Sequence, residues 1–169
     1  MNCPPILVAE ELAKAFKAHR FSMQFECRAG FGDFPERLED EYKSQVPLVD
    51  IVLPVQPTVD LAGRYYYAHG STLTIGVRRR LMSGKYLFDG SIPMDIVAPH
   101  VNLMYELIAW LLPSKDNPQG RRLSSNAGTA TFTPQIEMVK LWDPELLQQA
   151  KQYCGIFRVG FRFLESGND

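Results

Sequence analysis

Cysteine is scarce in this chain: Cys3, Cys27 and Cys154 are the three among 169 residues. Their number is odd, their spacing is wide and no CxxC pair exists, which argues against a disulfide framework and against a structural zinc site. Isolated cysteines of this kind are expected to be buried, reduced thiols, as in a reducing cytoplasm. Histidine is equally sparse. His19, His69 and His100 have no other metal-type residue at ligand spacing, so neither a metal nor a cofactor is expected. His19 reads instead as a helix C-terminal residue, where the dipole favours it. Charge of one sign is also missing. The formal net charge of -1 gives the whole molecule no pull on polyanions, so any nucleic-acid contact has to be local. Long apolar runs are absent too. "LIAWLL" is far too short to cross a bilayer, and "MNCPPILVAEELAKAFKAHR" lacks the apolar core and cleavage site of a signal peptide. The expectation is a soluble intracellular product with no membrane partner.

Motifs of catalysis are missing as well. There is no GxxxxGK(S/T), no GxGxxG behind a strand and no GxSxG elbow. "GFGD" reads as a turn, since nothing behind it opens a helix. "HGS", His69 to Ser71, places a histidine near a serine, but a triad is a spatial arrangement that adjacency does not supply. The dense acids of "ERLEDEY" read as a solvated face rather than a paired acid/base site. Nothing identifies an enzyme.

What is present is an ordinary globular composition, 46% hydrophobic and 22% charged, long enough for one domain over 1–169 with a single core. "PPILVAEELAKAFKAH" puts Ile6, Ala9, Leu12, Ala13 and Phe16 on one helical face, with Pro4 and Pro5 suited to the first turn. "FSMQFECR" alternates Phe21, Met23, Phe25 and Cys27 against polar neighbours and predicts a strand. "AGFGDFPERLEDEYKSQ" is an acidic connection with room for a helical turn after Pro35. "VPLVDIVLPVQP" is a second strand, with Pro47 and Pro54 favouring its ends or an edge. "TVDLAGR" turns at Gly63, "YYYAHGSTLTIGVRRRL" is a third strand region, and "MSGKYLFDGSIP" is a loop. "MDIVAPHVNLMYELIAWLL" is a helix apolar over a wide face, expected to start near Ala98 because of Pro99. "PSKDNPQGRRLSSNAG" reads as a flexible loop. "TATFTPQIEMVKLW" reads as a strand bent near Pro134. Asp143 and Pro144 open the short helix "DPELLQQAKQYC", with Gly155 as its stop. "IFRVGFRFLE" closes the chain as an alternating strand. This order predicts an α+β fold: a mostly antiparallel β-sheet packed against two main helices, with a short helix before the C-terminal strand.

The arginines carry what functional signal there is. Arg78, Arg79 and Arg80 end the third strand and alternate faces. Arg121 and Arg122 sit in the polar loop, and Arg158 and Arg162 on the outer side of the last strand. A solvated sheet face, a protein contact and a nucleic-acid contact all remain open. Arginine's planar fork pairs with carboxylates, and the acids Glu36, Glu39, Asp40 and Glu41 lie on the same chain. A basic and an acidic patch on one subunit invite head-to-tail contact, which generates rings. Arg78 to Arg80 against those acids of a neighbour is the expected subunit contact, and Arg121 and Arg122 are candidates for a different partner.

Several stretches resemble the tail terminator proteins of long-tailed bacteriophages. "ILVAEELAKAFKAH" is similar to that family's opening helix, "VPLVDIVLPV" and "TLTIGVRRRL" to its central strands, and "LMYELIAWLL" to its central helix. "LWDPELLQQAKQYCGIFRVGFRF" resembles its closing helix and aromatic-rich strand. The likeness spans nearly the whole chain as a pattern of hydrophobic positions, and the long polar loop and "VLPVQPTV" depart from it. It implies a structural virion protein: a subunit of a hexameric ring that caps the tail tube at its head-proximal end and joins it to the neck. The implied partners are further copies of the chain, the tail tube protein and a neck or head-completion protein, with DNA passing through the lumen without sequence-specific binding. Another tail or neck component is the near alternative, and a small nucleic-acid-binding module the alternative of a different class.

Overall fold

The computed structural model describes residues 3–39, 42, 45–53, 58–61, 67–81 and 92–166. Helix α1 runs Pro4–Ala18 and α2 Met94–Leu111, with a short α3 at Pro144–Gln149. The strands are β1 (Glu26–Phe31), β2 (Leu48–Leu53), β3 (Thr58–Leu61), β4 (Tyr67–Arg80), β5 (Arg122–Ser125), β6 (Gly128–Lys140) and β7 (Gln152–Glu165). They form one sheet in the order β1-β2-β4-β7-β6-β5, with β3 pairing with β4 as well. The pairing of β1 with β2 is parallel and the other pairs are antiparallel. The fold is α+β, with a mostly antiparallel sheet.

Both main helices cover one face of that sheet. Val8, Leu12 and Phe16 of α1 and Leu103, Met104, Leu107 and Leu111 of α2 join one core with Val49, Ile51, Leu73, Ile75, Val77, Phe157, Val159, Phe161 and Phe163. The odd-numbered residues of β4 and β7 supply this core because strand side chains alternate between faces. Their even-numbered neighbours look out from the second, helix-free face. Half of that face is covered by the irregular segment 33–39. Strand β2 is therefore buried at all six positions, and Leu38 of the covering segment is itself buried.

Several local expectations change. Strand β1 starts at Glu26, and Phe21, Met23 and Phe25 pack against the core from an irregular segment before it. Among the described residues 36–39 no helical turn forms after Pro35, because hydrogen bonds tie this segment's backbone to the sheet. Helix α2 starts at Met94 with Pro99 inside it. That proline falls early, where a missing N–H forfeits one bond to Asp95 and the apolar face still drives the turn into the core. The polar loop is not wholly irregular: its end forms β5, a hairpin partner of β6. The bend near Pro134 is present as a register shift between Phe132 and Ile136. Asp143 caps α3 by accepting from the Leu146 N–H at 3.0 Å. The helix stops at Ala150, where Lys151 takes a φ of 51°, so Tyr153, Cys154 and Gly155 belong to β7 instead. The turn at Gly63, Pro54 and positions 82–91 of the "MSGKYLFDGSIP" loop lie outside the described residues. Among the described residues no helix is long and apolar enough to cross a membrane.

Candidate functional site

The arginine run at the end of β4 does not act as one patch. Arg78 follows Gly76 and Thr74 on the helix-free face, and it is fully buried. Its Nε donates to Asp50 Oδ2 at 2.8 Å, its Nη2 lies 2.7 Å from the same oxygen, and its Nη1 donates to the Arg37 carbonyl at 2.8 Å. The guanidinium also sits 5.6 Å from the centre of the Phe34 ring. Gly76 makes room for this ring: a Cβ there would stand 2.1 Å from Phe34 Cζ. Asp50 lies directly opposite Gly76 on β2, itself only 3% exposed. Its other oxygen accepts from Arg28 Nε at 2.5 Å, and Arg28 Nη2 donates to Glu39 at 2.8 Å. A chain of alternating charge thus runs Glu39–Arg28–Asp50–Arg78 from the surface inward. The Glu39 carboxyl is held below the usual carboxylate range, first by a hydrogen bond from its own N–H and also by Arg28, against partial burial that opposes the shift.

The covering segment is tied down further along. Gln152 donates to the Glu36 carbonyl at 2.7 Å and accepts from the Leu38 N–H at 2.9 Å. Lys140 donates to Glu36 and to Asp143, each at 2.9 Å. These bonds raise the Lys140 ammonium above its ordinary value, the Asp143 contact most, then Glu36.

This geometry removes Arg78 from the expected subunit contact. Arg78 is not available to a neighbour, because Asp50 and the covering segment enclose it. Glu36 and Glu39 already meet Lys140 and Arg28 of their own chain. Arg80 is exposed, and its Nη2 lies 3.4 Å from the Glu39 carbonyl. Arg79 points to the helix side, half-buried, where its charge acts on His100. His100 is buried against Tyr153, with ring centres 5.3 Å apart, and its Nδ1 lies 3.1 Å from the Ile96 carbonyl. Burial first, and Arg79 second, push its pKa down to about 4. Asp40 and Glu41 lie outside the described residues.

The second arginine pair also divides. Arg121 folds back on the end of α2: its Nε donates to the Trp110 carbonyl at 3.0 Å, and its guanidinium stands 4.2 Å over the Trp110 ring. Its N–H donates to the Leu111 carbonyl at 3.2 Å. Arg121 therefore satisfies carbonyls that a helix end leaves unpaired. Arg122 is exposed on β5.

The sequence reading missed Asp50 and Arg28. One signal could have found the first: a lone carboxylate inside the apolar run "LVDIVL" needs a buried cation, and an arginine on a neighbouring strand is the natural source. The Cys27 and Cys154 thiols are buried and free, and burial pushes both up to about 12, so both stay protonated at neutral pH. Among the described residues no group of three or more His, Cys, Asp or Glu is placed to hold a metal ion. An open groove beside the charge chain, with a volume of about 490 Å³, is lined by Asp33, Phe34, Thr74, Val139, Ile156 and Arg158 among others. No family model and no curated protein matches this sequence.

Proposed function

We propose that the chain is the subunit of a ring in the tail of a long-tailed bacteriophage, a tail terminator that caps the tail tube and joins it to the neck. The observation that carries this reading is that, among the described residues, the sheet is open at both ends and each end exposes apolar side chains. Edge strand β1 pairs only with β2 among the described strands, and it carries Phe31, which is 67% exposed. At the other end, β6 beyond Phe132 is paired on one side only among the described strands. This shoulder exposes Met138, Val139 and Trp142. Large apolar groups held out at two different edges fit a heterologous contact between copies, and such contacts close into rings when the rotation permits. Pro134 and the two register shifts in β6 keep its free edge from pairing indiscriminately as a strand. The contact then rests on side chains, Phe31 of one copy against the Met138–Trp142 shoulder of the next. In this reading the tube protein and a neck or head-completion protein take the two faces of the ring, and DNA passes through its lumen.

The test is light scattering and electron microscopy of the purified protein over a wide concentration range, with and without tail tubes. Hexameric rings, or caps at one end of the tubes, are expected, and Phe31→Asp should abolish them. A monomer at every concentration that also leaves the tubes uncapped would overturn the reading.

A further inference from the structure

The uncovered half of the helix-free face brings together arginines that lie far apart in the chain. In the strand register Arg122 on β5 stands opposite Thr131 on β6, and Thr131 opposite Arg162 on β7. Directly opposed residues share a face, so the two guanidinium groups flank a threonine, about 10 Å apart across two strand spacings. Arg158 stands on the same face of β7, one Gly160 away from Arg162. Thr133 lies on that glycine: a Cβ at Gly160 would stand 2.9 Å from its Oγ1. Thr72, Thr133, Ser124, Arg122, Arg158 and Arg162 are all exposed. Arg122 and Arg162 have no ion-pair partner among the described residues. Glu137 meets Arg158 at 3.5 Å across an exposed pair, which screens only weakly.

We infer that this face binds the phosphate backbone of duplex nucleic acid, without reading its sequence. Guanidinium and hydroxyl groups are the donors that proteins place on phosphates. The alternatives fit less well. A protein partner needs an apolar or aromatic anchor at the centre of the patch, and the centre here is threonine and glycine, with the exposed Leu164 only at its margin beyond Arg162. Single strands are held by aromatic side chains on which bases stack, and Phe34, which lines a groove with Arg158, has its ring packed over Gly76 and Arg78 instead. The net charge of -1 does not bear on it, because the core arginine is neutralised by Asp50 whereas this cluster is left open to solvent. The inference does not rest on ring formation and holds for a free subunit.

Fluorescence anisotropy with a labelled DNA duplex, titrated at several salt concentrations, tests it. Binding with a Kd of about 10⁻⁴ to 10⁻⁶ M is expected, with log K falling against log salt at a slope of about -2 to -3. Arg122→Gln/Arg162→Gln should flatten that slope by about 2, since each phosphate contact contributes about 0.9. The Arg122→Lys/Arg162→Lys variant should keep it, because the term counts charges. Lys14→Gln/Lys17→Gln, on the helix side, should change nothing. No binding at about 50 mM salt, or a slope that Arg122→Gln/Arg162→Gln leaves intact, overturns the inference. So does tighter binding of single strands, or displacement of the duplex by an acidic peptide at equal charge.

Discussion

Two halves of one sheet face use the same residue type in opposite ways. In the covered half Arg78 is enclosed by Asp50, Phe34 and the Arg37 carbonyl. In the bare half Arg122 and Arg162 stand in solvent beside threonines. The strands are shared: β4 and β7 run through both halves. What differs is whether the carboxylate on the neighbouring strand is itself buried, as Asp50 is and Glu137 beside Arg158 is not, and whether a covering segment packs onto the glycine, as Phe34 does at Gly76. Asp50 and Gly76 supply both in one half. A buried charge has to be paired and hydrogen-bonded, so this arginine serves the fold. An exposed one costs the fold little and is left for partners.

Mutations in the two halves should therefore separate cleanly. The largest effect is expected for Asp50→Ala, which strands Arg78 as an uncompensated buried charge. Denaturant unfolding should show a loss of about 3–5 kcal/mol. Replacing the pair together, Asp50→Leu/Arg78→Met, should recover much of it if Arg28 swings out to solvent. Next comes acid. His100 is held neutral with a folded pKa of about 4, below the ordinary unfolded value of about 6.5. The unfolded chain therefore takes up the proton first, and stability is full above that unfolded value and is lost as pH falls toward 4. The loss should be on the order of 2–3 kcal/mol, and melts of His100→Gln between those limits should show a flatter profile. Gly76→Ala is expected to cost about 1–3 kcal/mol by pushing Phe34 off the sheet, with hydrogen exchange rising at Leu38. The smallest effect belongs to the bare half. Arg122→Gln/Arg162→Gln should leave stability within about 0.5 kcal/mol. A large loss there would erase the distinction between the two halves.

Much of the fold could be read along the chain. The apolar stripe of α1, the wide face of α2, the alternation of Leu73, Ile75 and Val77 and the Asp143–Pro144 helix start are all local patterns, set by periodicity and capping. The misreadings have local causes too. Phe21, Met23 and Phe25 alternate toward the core as a strand would, but their backbone finds no ladder partner. Gly155 suits a helix stop, yet Lys151 ends α3 earlier because β7 claims Gln152 onward. The charged residues were the least legible. Alternation puts Arg78 and Arg80 on one face and Arg79 on the other, but spacing does not tell that the structure buries Arg78 and leaves Arg80 in solvent.

The sequence by itself determined α1, α2, the buried faces of β4 and β7 and the α+β class, because those follow from spacing within a few residues. Only the tertiary structure decided which charges meet. The pairing of Arg28 with Glu39 and of Lys140 with Glu36 depends on how the segment 33–39 lies over the sheet, whereas the pairing of Arg78 with Asp50 and the row of Arg122, Thr131 and Arg162 depend on strand register. Register is settled by the packing of the whole sheet, since a slip of one residue would send every side chain to the opposite face.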